Sequence, residues 1–128
     1  MPAYDSNRFN PPAPVARVSV RNSFSEATKS DIPMLLDTGA DVTLLPLTVA
    51  KELGLVSTDE KSYELIGFEG SLKSSFAVRA EMIFLGYTFR GQFLLIDQEC
   101  GIIGRNVLNS LSLLFDGPRH NWEQSSRT

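Results

Sequence analysis

Apolar residues in this chain come in short runs, each cut off by a glycine, a proline or a polar turn. Residues 15–22 alternate, with Val18 and Val20 on one face and Arg17, Ser19 and Arg21 on the other, the period of a half-buried strand. A polar stretch, 23–31, predicts a turn. Ile32-Pro33-Met34-Leu35-Leu36 is then a continuous apolar run of strand length. Its proline fits best near the strand's start, where a missing N–H does little harm. Thr43-Leu44-Leu45 resumes strand character and stops at Pro46. Residues 63–66, 72–83 and 87–96 are also strand-like, punctuated by Gly67, Gly70, Gly86 and Gly91. Leu113-Leu114-Phe115 and Asn121-Trp122-Glu123 flank the turn signal Asp116-Gly117-Pro118. Helix is confined to 47–53, where Leu47, Ala50 and Leu53 recur three apart and Gly54 supplies the stop, and to a short stretch over 106–111. A chain patterned this way folds as an all-β domain, a partly closed β-barrel with one or two short helices.

At 128 residues and 42% hydrophobic, the chain has enough apolar surface for one core and too little length for two ordinary domains. Residues 1–14 are polar and hold four of the seven prolines. They lack the basic-then-apolar order of a secretory signal and read as a disordered or extended lead-in. The domain is placed at 15–124, with a tail at 125–128. A net charge of −3, with no run of Lys or Arg, gives no electrostatic reason for a nucleic-acid partner. No apolar stretch approaches the length needed to cross a bilayer, so no membrane is expected. The lone cysteine, Cys100, cannot form an internal disulfide, and a cytosolic setting is the default. With His120 it makes neither a metal cluster nor a Cys–His pair. Trp122 reads as a packing or interface anchor. The serines have no histidine beside them, and a glycine-rich phosphate loop is absent. No metal and no cofactor is expected.

The feature that carries chemistry is Asp37, set directly after the apolar run and followed by Thr38 and Gly39. A carboxylate at the end of a strand covered on both faces sits at the rim of the core, where burial raises the cost of ionisation. Gly39 permits a sharp turn and a close backbone approach. Thr38 offers a hydroxyl to hold a neighbouring loop. Taken alone, Asp-Thr-Gly fits equally well a loop in which Asp37 caps a turn.

Context separates the two. Leu35-Leu36-Asp37-Thr38-Gly39-Ala40-Asp41 is followed later by Gly101-Ile102-Ile103-Gly104-Arg105-Asn106-Val107-Leu108. Together these blocks resemble the retropepsin family, the single-domain aspartic proteases of retroviruses, retrotransposons and related cellular proteins. The resemblance implies a retropepsin-like acid protease fold and makes Asp37 the catalytic carboxylate. It implies that Thr38 locks two active-site loops together across a dimer axis and that Gly39 presents its carbonyl to substrate. Asp41 and Arg105 resemble the family's buried ion pair, which ties the helix after Gly104 to the active-site loop. Residues 65–72 stand in the place of the family's flap, with Ile66, Gly67, Phe68, Glu69 and Gly70 as the candidate substrate-binding residues. Phe68 and Glu69 depart from the glycine that family flaps often carry at the tip. Ala40 stands where pepsin-like enzymes often have Ser or Thr, a hydroxyl that favours the charged carboxylate, so a less acidic working pH is expected.

The chemistry needs two carboxylates sharing one proton, and the chain carries one Asp-Thr-Gly. The expectation is therefore a C2 homodimer acting on a polypeptide substrate, without metal or organic cofactor. Residues 15–22 and 121–124 are candidates for an intersubunit sheet. The alternative is a catalytically weak retropepsin-like dimerisation or peptide-binding module.

Overall fold

The computed structural model describes residues 2–57, 63–66, 72–75 and 77–125. Strands β1 (Tyr4–Asp5), β2 (Ala13–Arg21), β3 (Thr28–Leu36) and β4 (Leu44–Pro46) lead into helix α1 (Leu47–Leu53). They are followed by β5 (Tyr63–Ile66), β6 (Leu72–Ser75), β7 (Val78–Phe84), β8 (Tyr87–Ile96) and β9 (Gly101–Ile103). Helix α2 (Arg105–Leu108), β10 (Leu113–Asp116) and β11 (Asn121–Gln124) complete the order. The main sheet runs β1-β2-β3-β9-β4-β8-β7, and β7 pairs back onto β2, so six of its strands close a barrel. The all-β barrel fold expected from the sequence forms, with two short helices where one or two are expected, and the barrel, expected to be partly closed, closes through β2 and β7.

Strand periodicity explains the core. Along β7, Val78, Ala80, Met82 and Phe84 are buried while the residues between them are not. Val18 and Val20 of β2, Ile32, Met34 and Leu36 of β3, Leu45 and Ile103 meet them inside the barrel, which is the pleat's two-residue period turned toward one interior. Trp122 is 2% exposed, tilts against Phe84 and donates its indole N–H to the Val15 carbonyl at 3.2 Å. The β10–β11 hairpin is thereby pinned to the barrel.

Several local expectations need correction. Strand β3 begins at Thr28, inside the stretch read as a turn, because its first half overhangs the core and carries no apolar alternation. Pro33 lies within β3 rather than near its start, opposite Arg17 of β2. It is tolerated there because β9 joins β3 only from Met34 onward, leaving a partner on one side alone. The stretch read as one strand over 72–83 is two, β6 and β7. Strand β2 is no candidate for an intersubunit sheet, since it pairs with β3 on one side and with β1 and β7 on the other.

Residues ahead of the barrel are drawn into it. β1 pairs with β2 through Tyr4↔Pro14 and Asp5↔Ala13. Asp5 accepts the backbone N–H groups of Asn7 and Arg8, each at 2.8 Å, and an Arg8 guanidinium N–H at 2.7 Å. Those bonds, the Arg8 backbone N–H foremost, hold the Asp5 carboxyl below the usual aspartate range. No helix among the described residues is long and apolar enough to cross a membrane.

Candidate active site

Asp37 is the first residue beyond β3, half-buried at the barrel's rim. Its position is fixed from the parallel neighbour β9, whose last residue, Ile103, accepts the Asp37 N–H at 3.0 Å. The chain then turns tightly, with Ala40 N–H donating to the Asp37 carbonyl at 3.2 Å. Within the turn, Gly39 N–H donates to Asp37 Oδ1 at 2.9 Å. A Cβ at position 39 would lie 3.1 Å from that same oxygen, so a side chain there would crowd the carboxylate. Thr38 and Gly39 are exposed and Ala40 is half-buried. Among the described residues the Thr38 hydroxyl has no hydrogen-bond partner.

The far side of the loop is held by α2. Arg105 N–H donates to the Ala40 carbonyl at 2.8 Å, and Arg105 Nη1–H donates to the Thr38 carbonyl, also at 2.8 Å. One arginine therefore grips the loop twice, through backbone and side chain. The buried ion pair expected between Arg105 and Asp41 is not formed. Both side chains are exposed, and the guanidinium is turned to a carbonyl of the loop instead. Asp41 has no cation within ion-pair distance among the described residues.

Thr43, which the sequence reading did not single out, completes the loop together with Gly104 of the second block. Thr43, 1% exposed, donates its hydroxyl proton to Asn106 Oδ1 at 2.8 Å and accepts the Gly104 N–H at 3.1 Å. The available signal was a hydroxyl inside an apolar run, since a buried polar group must find a partner. Gly104 is itself packed so closely that a Cβ there would strike the Val42 carbonyl and come within 2.9 Å of the Ala40 oxygen.

Of the expected flap, Ile66 closes β5 and pairs across to Leu72 of β6. Gly67, Phe68, Glu69 and Gly70 lie outside the described residues. No cluster of three or more His, Cys, Asp or Glu able to hold a metal is found among the described residues. A crevice of about 480 Å³ between residues 2–8 and the barrel is lined by Arg17, Leu85 and Trp122; the Asp37 loop contributes nothing to it. Cys100 is buried, and burial pushes its thiol upward from the ordinary value.

A closed barrel with an Asp-Thr-Gly turn at the end of one strand, braced by a Gly-Arg-Asn segment at the end of its parallel neighbour, defines a retropepsin-like aspartic protease architecture. Residues 17–107 match the family described as aspartyl protease, and the chain belongs to that family. Among solved structures it resembles the EIAV protease complexed with the inhibitor HBY-793, a retroviral protease. The two are 23% identical with a TM-score of 0.55, over 77% of this chain and 86% of that one. That likeness is one of fold. No curated protein matches the chain in sequence.

Proposed function

We propose that the chain is an aspartic endopeptidase working as a C2 homodimer, with Asp37 of each subunit supplying one of two catalytic carboxylates. The reading is carried by a single observation: the carboxylate of Asp37 is held at a strand end by a fully braced loop, with exposed Thr38 and Gly39 beside it. In the dimer, the ionised carboxylate takes a proton from water while the protonated one donates to the scissile carbonyl. Thr38, whose hydroxyl has no partner among the described residues, would tie the two loops across the axis. Gly39 would offer its carbonyl to substrate lying extended in the cleft. Arg105, bonded to the Thr38 and Ala40 carbonyls, serves the loop rather than the substrate. Ile66, with Gly67, Phe68, Glu69 and Gly70, would cover the bound peptide. The protease domain is taken as 15–124, preceded by residues 1–14 and followed by the tail 125–128, and a cytosolic setting suits its single thiol.

The unpartnered outer edge of β10 is the surface that best supports dimerisation. β10 pairs only with β11 among the described residues, and its Leu114 and Phe115 are 53% and 40% exposed. The second reading, a dimerising or peptide-binding module, rests on Phe68-Glu69 in place of a glycine-rich flap tip. Incubating the protein and an Asp37→Asn variant with a mixed peptide library separates the two. Cleavage by the wild type alone is expected. Cleavage that persists in the variant excludes the mechanism, and a dimer that cleaves nothing favours the module.

A further inference from the structure

We propose that Thr43 is a positioning residue for catalysis: its hydroxyl, oriented by Asn106, sets the Asp37 loop through Gly104. The inference rests on the proteolytic reading above. Three consecutive residues, Ile103, Gly104 and Arg105, hold the loop. Ile103 O takes the Asp37 N–H at 3.0 Å, and Arg105 N–H goes to Ala40 O at 2.8 Å. The Arg105 guanidinium reaches Thr38 O at 2.8 Å. Gly104, in the middle of this brace, donates its own N–H to Thr43 Oγ1 at 3.1 Å. Thr43 lies just downstream of the loop, at the entry to β4. Among the described residues, its hydroxyl is thus the one side-chain tie that closes the loop's exit onto the segment gripping its start.

The hydroxyl's direction is not left free. Its single proton goes to Asn106 Oδ1 at 2.8 Å, which leaves a lone pair for Gly104. Close packing makes the tie one-sided. The place a Cβ would take at Gly104 is filled by the Val42 and Ala40 carbonyls, so there is little room for movement on that side. Loss of the bond lets the brace relax away from them. Such a shift carries Ile103 O and Arg105 N with it, and through them Asp37 and Ala40. Two carboxylates that share a proton across a symmetry axis tolerate little displacement, because a reacting group misplaced by about 1 Å loses on the order of a hundredfold in rate. Gly39 moves with Asp37 and Ala40, but an extended substrate is held by main-chain bonds along the whole cleft, so its binding is disturbed far less than the alignment of the carboxylate. The signature is therefore a fall in kcat with KM preserved, the mark of an interaction expressed in the transition state.

The test compares Thr43→Val, Thr43→Ser, Asn106→Leu and Asn106→Asp with wild type on a cleaved peptide. Thr43→Val is expected to lose about a hundredfold in kcat, with KM within about twofold. Thr43→Ser, which keeps the hydroxyl, recovers most of the turnover. Asn106→Leu lowers kcat less than Thr43→Val does, and Asn106→Asp restores it by keeping the acceptor. Should Thr43→Val fail to fold, Asn106→Leu decides, since it alters an exposed position and leaves the buried hydroxyl in place. Wild-type kcat in Thr43→Val or, failing that, in Asn106→Leu, overturns the inference and leaves the proteolytic reading standing. A rise in KM with kcat unchanged overturns it equally. Absence of cleavage by wild type is a different failure, which removes the proteolytic reading and the positioning role together.

Discussion

Glycine at position 104 is dictated by space. Its neighbours there are the backbone of Val42 and the Ala40 oxygen, neither of which can swing aside as the tip of a long side chain would. Gly104→Ala is therefore expected to destabilise the fold toward the upper end of the roughly 1–3 kcal/mol typical of overpacking. Thermal unfolding reads this directly, and an unchanged midpoint contradicts the packing. A second residue-scale expectation concerns Asp5. Its folded carboxyl is depressed, first by the Arg8 backbone N–H and then by the Arg8 guanidinium. The contribution is thus present above the ordinary aspartate value and lost as pH falls through the depressed one. Protection of the Asn7 and Arg8 amides, taken relative to the intrinsic exchange rate at each pH, should fall on acidification in the wild type, whereas Asp5→Asn should be less protected at neutral pH and respond less to acid. The motif residues Asp37, Gly39, Gly104 and Arg105 were legible in the sequence as parts of two blocks. What Gly104 makes room for was not, because a linear sequence does not say which backbone atom occupies the place of a missing Cβ. Thr43 was hidden for a related reason: a threonine in an apolar run looks like an ordinary strand former until its partner across the loop is seen.

Elements formed where local pattern and tertiary contacts agreed. The period of β2, the ten residues of β8 and the Leu47–Leu53 helix with its left-handed Gly54 cap all follow from apolar spacing and a stop signal. The first half of β3 did not, since Thr28-Lys29-Ser30-Asp31 is polar and takes its strand form only from pairing with β2. Strand order was beyond reach as well. Periodicity names strands and their faces, but β3 lying parallel to β9 and β7 closing on β2 depend on contacts distant in the chain. The turn between β2 and β3 shows how a single polar residue joins elements. Buried Asn22 donates its amide to the Leu53 carbonyl at 2.8 Å, at the end of α1, and its carbonyl oxygen accepts the Phe24 N–H at 2.9 Å. Asn22→Leu leaves both groups without a partner and is expected to cost about 1–3 kcal/mol. The loss should show first as faster amide exchange in α1 and the 22–27 turn, with the barrel strands protected. Uniform loss of protection across the molecule would mean that the helix and barrel open as one unit.

At the scale of the whole molecule, the barrel is complete while the proposed chemistry is not, because each chain brings one Asp37 to a reaction that needs two. Activity should then depend on association. Specific activity is expected to rise with protein concentration and level off once the dimer is saturated. The surface proposed for pairing is the β10 edge, where Leu114 and Phe115 are exposed and no lysine, proline or bulge interrupts Leu113–Asp116. A two-fold axis lets such an edge meet its own copy in antiparallel register. Leu114→Lys places a charge on that edge while altering a side chain that is already 53% exposed. The folded monomer should stay within about 0.5 kcal/mol of wild type. The concentration giving half-maximal specific activity should rise about tenfold or more, which corresponds to ~1.4 kcal/mol of lost association. Sedimentation at matched concentrations gives the same shift without reference to cleavage, so it separates a weakened dimer from a damaged active site. Specific activity that stays constant on dilution, at concentrations where sedimentation finds only single chains, would mean that one Asp37 suffices, and the shared-proton mechanism would have to be abandoned.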